Sequence, residues 1–116
     1  MAYDRVNRER AAPHCVRAPK LPALRRAPAL EMAARLLASG GDLNASLKQA
    51  GYRATRSSVA QMTSNISPAE LVNLFVERQC ALITDPAFVD IGIHLETGGI
   101  TMLLTVPFAP KVAVTQ

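Results

Sequence analysis

The chain has no tryptophan, only two tyrosines and three phenylalanines. A core of ring on ring is therefore excluded, and aliphatic side chains with methionine as filler must build it. No run of eighteen or more apolar residues occurs, which excludes a sequence-evident membrane-spanning helix. An apolar leader is lacking too: the chain opens Met-Ala-Tyr-Asp-Arg-Val-Asn-Arg, which is polar. The sequence thus belongs either to a cytosolic protein or to an exported one whose signal peptide is not part of it. Cysteine is scarce, with Cys15 and Cys80 alone and far apart, which excludes a Cys-x-x-Cys redox or zinc motif. Two buried thiols fit a cytosolic protein, one disulfide fits a secreted one, and composition leaves both open.

What is present is a globular composition. The 116 residues are 49% hydrophobic, enough for one domain and too few for two cores. Charge is uneven: residues 1–26 carry seven basic and two acidic side chains, residues 27–116 six and seven. A basic N-terminal stretch is one way to bind nucleic acid or an anionic surface. The plainer reading is a solvated helix and loop, because Tyr3 is the only aromatic among those cations and no nucleic-acid motif accompanies them.

Residues 3–12 read as a short charged helix anchored by Val6 and ended by Pro13. Pro13, Pro19, Pro22 and Pro28 then predict an extended wrap over 13–28. Residues 28–39 predict a helix, with Pro28 in the first turn, Leu30, Ala33, Ala34 and Leu37 on one face, and Gly40-Gly41 as the stop. Residues 42–50 predict another, capped by Asp42 and closed by Gly51. The Ser/Thr-rich stretch 53–66 carries a short strand at Ser58–Met62.

Ser67-Pro68-Ala69-Glu70 has the capping-box spacing, and its helix runs to about Gln79 with Leu71, Val72, Phe75 and Val76 inward. In 88–96, Val89, Ile91, Ile93 and Leu95 alternate with Asp90, Gly92, His94 and Glu96, the pattern of a half-buried strand. Thr97-Gly98-Gly99 turns it into 100–106, a continuously apolar strand expected under helices on both faces and ended by Pro107 and Pro110. The expected class is α+β, about four helices packed sandwich-like on a small antiparallel sheet.

Four stretches, in this order, resemble bacterial CAP-superfamily domains (SCP-like; cysteine-rich secretory, antigen 5, pathogenesis-related 1). Val6-Asn7-Arg8-Glu9-Arg10 is similar to their opening helix. Leu24 through Leu30 followed by Ala33-Ala34 is similar to the family's L-x-x-x-P-x-L-x-x-A-A entry into the second helix. Ala50-Gly51-Tyr52 resembles the segment before its Gly-Glu-Asn strand. Cys80 through Ile83, Asp85-Pro86-Ala87-Phe88 and Ile91-Gly92-Ile93 resemble the block that follows the family's second site histidine. The resemblance implies a single domain over 1–116 with its core in 4–110. It also implies a Cys15–Cys80 disulfide and an exported, secreted or periplasmic protein.

The same resemblance argues against chemistry. The family's cleft holds two histidines and two acidic residues, a donor set suited to zinc or a similar divalent ion. Here no histidine follows the second helix, Val59 stands where the glutamate of Gly-Glu-Asn would be, and Gln79 where the second histidine would be. No metal, cofactor or catalytic residue is therefore expected, and Ser58, His94 and Glu96 remain as cleft or rim residues.

Other candidates are thin. His14 beside Cys15 would suit a nucleophilic pair, but a loop histidine next to a cystine is the plainer reading. His94 and Glu96 share a strand face and offer two metal ligands, too few for a closed site. Thr55, Ser57, Ser58 and Thr63 have no histidine or aspartate in a triad pattern. The expected function is a non-catalytic CAP-type domain that binds a protein, a lipid-like molecule or a cell-envelope ligand. Helix 28–39 and the 53–66 stretch would line what remains of its cleft, and an exposed edge strand could pair with a second copy, giving a homodimer. The alternatives are a hydrolase or metal-dependent enzyme with a relocated site, and a nucleic-acid-binding module.

Overall fold

A computed structural model describes residues 2–108. The elements in chain order are α1 (Ala2–Ala11), β1 (Arg25–Arg26), α2 (Pro28–Ala38), α3 (Leu43–Ala50), β2 (Ala54–Thr63), α4 (Pro68–Arg78), α5 (Cys80–Ile83), β3 (Asp90–Glu96) and β4 (Gly99–Pro107). The strands form one sheet in the order β1-β3-β4-β2.

Side-chain alternation along β4 divides the core. Ile100, Met102 and Leu104 point to one face and meet Val6 of α1, Leu71, Val72, Phe75 and Val76 of α4, and Ile83 of α5. Leu103 points to the other and meets Leu30 and Ala33 of α2 and Leu47 of α3. The result is a three-layer α-β-α sandwich whose middle strand is covered on both sides, which is why 100–106 reads as continuously apolar.

The local signals act as their chemistry dictates. The Asp42 carboxylate accepts from the Ala45 amide at 3.0 Å, and Gly51 closes α3 at φ +75°, a left-handed conformation that favours glycine. Ser67 Oγ accepts from the Glu70 amide at 3.3 Å. The reciprocal half of that box differs: Glu70 Oε1 takes the Ser67 hydroxyl proton at 2.8 Å instead of reaching the cap amide. Thr97-Gly98 makes the β3–β4 turn with Gly98 at φ +84°.

Four expectations change. The sheet is mixed, because β1 pairs parallel to β3 with Arg25 opposite Asp90. The Ser58–Met62 strand is longer, Ala54–Thr63, held by ladder bonds to β4 and not by its own composition. Pro107 is the last residue of β4 and sits opposite Ala54; Pro110 lies outside the described residues, as does the end of the expected core. The polar face of β3 is dry at its start: Asp90 is 1% exposed, whereas His94 is half-buried, Glu96 is exposed, and Val89 of the apolar face is exposed too. At Gly92 a Cβ would run into the Leu30 backbone, so its absence lets α2 lie directly on that face. Asp90, two residues earlier, is closed over by Arg25 and Tyr52.

Candidate functional site

The face of the sheet beneath α2 and α3 carries three rows of side chains. Antiparallel register places Asp90, Thr105 and Ser57 in one row, Gly92, Leu103 and Val59 in the next, and His94, Thr101 and Gln61 in the third. The middle row is apolar and takes the helices. The outer rows are polar and are satisfied in different ways.

In the first row the Asp90 carboxylate is held by the exposed Arg25 guanidinium at 2.8 and 3.1 Å and by the Tyr52 hydroxyl at 2.6 Å. Tyr52 Oη also lies 2.8 Å from Thr105 Oγ1. Burial first, and the Asp90 carboxylate second, push the Tyr52 phenol up to about 12. This row is closed by its own partners and offers nothing to a ligand.

The third row is open. Gln61 Nε2 donates to Thr101 Oγ1 at 3.1 Å and to the Leu37 carbonyl at 3.5 Å, tying β2 to the end of α2. His94 Nε2 lies 2.9 Å from Glu96 Oε1. A groove of about 370 Å³ runs along this end, with Leu37 and Ala38 of α2 on one wall, Gln61 and Met62 on the floor, and Glu96 and Thr101 opposite. A second groove of about 420 Å³ lies on the other flank of α2, lined by Glu31, Met32, Arg35, His94 and Leu95. The His94–Glu96 pair stands between them. At the far end of the second groove the Tyr3 hydroxyl donates to Glu31 Oε2 at 2.5 Å and accepts from the Ile93 amide at 2.8 Å. The Arg26 guanidinium covers its ring at 4.4 Å. Burial first, then the Glu31 carboxylate, holds the Tyr3 phenol well above its usual range.

The other sequence-derived positions lie elsewhere. Val59 is packed into the apolar cluster under α2 and α3. Gln79 is the C-cap of α4, in the helix layer on the opposite side of the sheet. Ser58 faces that opposite side too, opposite Leu104. The structure therefore brings His94 and Glu96 together and keeps Val59, Ser58 and Gln79 apart from them. Neither an alkyl chain nor a lone amide is a donor set for a divalent ion, so these positions do not fit the metal that the family resemblance implies. Among the described residues no group of three histidine, cysteine, aspartate or glutamate side chains is placed to hold a metal.

Cys15 and Cys80 are joined, which leaves no thiol beside His14 to act as a nucleophile. The bond sits over a buried carboxylate. Glu9 is 4% exposed; its Oε2 accepts from the His14 amide at 2.8 Å, lies 3.0 Å from His14 Nδ1, and is 3.5 Å from Cys80 Sγ. Arg5 reaches Oε1 at 3.3 Å. Burial opposes ionisation of Glu9, but the two His14 hydrogen bonds and Arg5 outweigh it and hold the carboxyl below its ordinary range.

Arg10 is deeper still, 2% exposed, and donates to the carbonyls of Pro22, Ile83 and Asp85 at 2.8–3.0 Å. Sequence reasoning missed Tyr3, Glu9, Arg10, Tyr52 and Asp90. Their only local signal is a charged or phenolic residue within an amphipathic pattern, and their partners are distant in the chain.

The fold is shared with solved structures. Over 90% of this chain, the structure matches an extracellular protein containing an SCP domain from Bacillus anthracis, with TM-score 0.69 and 14% identity. It matches a cysteine-rich secretory protein from Staphylococcus aureus over the same share, with TM-score 0.66 and 11% identity.

The chain has the SCP-domain fold.

It spans 39% and 36% of the length of those two proteins. No family model and no curated protein matches the sequence. The SCP fold agrees with the CAP resemblance of the sequence, and with the α+β class expected from it.

Proposed function

We propose that this SCP-type domain is exported, carries no metal or acid–base chemistry, and binds a protein, lipid-like or cell-envelope ligand in the groove between α2 and β2. The observation that carries the reading is Val59: where the family places a carboxylate, this chain has an isopropyl group built into the cluster of Leu30, Ala33, Leu47 and Leu103. Export is supported by the Cys15–Cys80 bond, since such bonds persist in oxidising compartments, and by the extracellular and secretory descriptions of the two structural neighbours. No helix among the described residues is long and apolar enough to cross a membrane.

The basic N-terminal stretch fits this reading better than a nucleic-acid interface. Arg5, Arg10, Arg25 and Arg26 are bonded to Glu9, to three backbone carbonyls, to Asp90 and to Glu31. Cations already paired release few counterions on meeting a polyanion. A second reading, a relocated acid–base site, rests on the His94–Glu96 contact of 2.9 Å beside two grooves.

Native mass spectrometry of the oxidised chain, recovered from the medium of a secreting host, separates these. The expected result is a retained lipid or peptide, and its loss in Ala38→Trp, which fills the groove wall without entering the core. A chain that carries nothing in either form sinks the groove. Tight zinc binding, or a hydrolytic activity abolished by His94→Ala, sinks the absence of chemistry.

A further inference from the structure

β2 is an edge strand, and over residues 57–62 it lacks the devices by which proteins keep such edges from pairing. Among the described residues the strand order leaves one side of β2 without a neighbouring strand over its ten residues. Which of its backbone groups face that side follows from the ladder. Arg25 and Ala27 donate to the carbonyls of Val89 and Ile91, so the odd residues of β3 face β1 and the even ones face β4. Carried through the registers of β3 with β4 and of β4 with β2, this turns Ser58, Ala60 and Met62 toward β4. Ser57, Val59 and Gln61 point their N–H and C=O groups outward. Among the described residues no backbone partner meets those groups.

Natural edges are blunted by proline, by lysine or other charge, by bulges or by a covering element. Ser57-Ser58-Val59-Ala60-Gln61-Met62 contains no proline, no glycine and no charge, and its only register shift lies before it, at Ala54/Arg56.

We infer that β2 pairs antiparallel with β2 of a second copy of this chain, joining two four-stranded sheets into one. A two-fold axis through Val59 makes the edge complementary to itself. Val59 then meets Val59, Ser57 meets Gln61, and Ser58 meets Ala60, so each outward residue faces another outward residue. The nearest charge, Arg56, falls opposite Met62, and Arg53 opposite Asn65, so no like charges oppose one another. The apolar row of Leu103 and Val59 runs on into the same row of the second copy.

Multi-angle light scattering across a concentration series, with amide exchange on the same samples, tests the pairing. The expected result is a doubling of mass, with the Ser57, Val59 and Gln61 amides exchanging slowly in the dimer and freely on dilution. Ser57→Pro removes an outward N–H and leaves the β4 ladder intact, so it is expected to give a folded monomer. A wild-type chain that stays monomeric with those three amides in free exchange overturns the inference. So does a dimer that survives Ser57→Pro with those amides unprotected, because its interface then lies on another surface.

Discussion

Arg10 shows how one side chain can join segments that share no secondary structure. Its guanidinium gathers carbonyls from the proline-rich wrap and from the end of α5, and none of them has another strand or helix to turn to. Arg10→Met keeps the alkyl stem and strands those acceptors, so urea unfolding is expected to show a loss of about 3 kcal/mol. The titrating groups set two limits on stability. Tyr52 holds its proton up to about 12 in the folded chain and only to 10.0 when unfolded. The unfolded state therefore ionises first, and stability intact below pH 10 falls as pH rises toward 12. Tyr52→Phe, which should cost about 1–2 kcal/mol at neutral pH, is expected to flatten that alkaline decline. Glu9 works in the opposite sense. Its folded carboxyl lies below the ordinary 4.5, so the stability it contributes is complete above that pH and is lost as acid reaches the folded value.

At the scale of elements, the contact between α2 and β3 depends on a missing atom. Gly92→Ala would place a methyl against the Leu30 backbone, which cannot rotate away as a side chain can. The helix must lift from the sheet, and the expected cost is about 3 kcal/mol, with Asp90 more exposed, read by thermal unfolding and by faster exchange of the Ile91 amide. The same contact explains what was legible in the chain and what was not. Helix ends were readable because Asp42, Gly51 and Ser67 act on amides and dihedrals within a few residues of themselves. β1 was not readable, since two arginines in a proline-rich run become a strand only when β3 is beside them. Asp90 followed a clean alternation that normally marks a wet face, and it is dry because Arg25 and Tyr52, distant in the chain, close over it. His94 and Glu96 were legible as neighbours because strand residues two apart share a face. The groove beside them was legible only in part: helix 28–39 and the 53–66 stretch were expected to line a cleft, but its walls come from four separate elements, and β3 and β4 were not among those expected.

For the whole molecule, the Cys15–Cys80 bond is the one covalent link between the N-terminal wrap and the second half of the chain, closing a separation of 65 residues. Cys15→Ser with Cys80→Ala is expected to lower stability by about 2–4 kcal/mol, measured against the oxidised parent in denaturant, while leaving the sheet order unchanged. The sheet itself is assembled in an order that the chain does not follow. Among the described residues β4 is the last strand in sequence, yet it lies between β3 and β2 and bears side chains into both helix layers. Without residues 99–107, β2 has no strand beside it, β3 has only the two residues of β1, and α2 and α4 have no common floor. The two helix layers therefore condense only when residues 99–107 are in place, a long-range closure that sets the pace of folding.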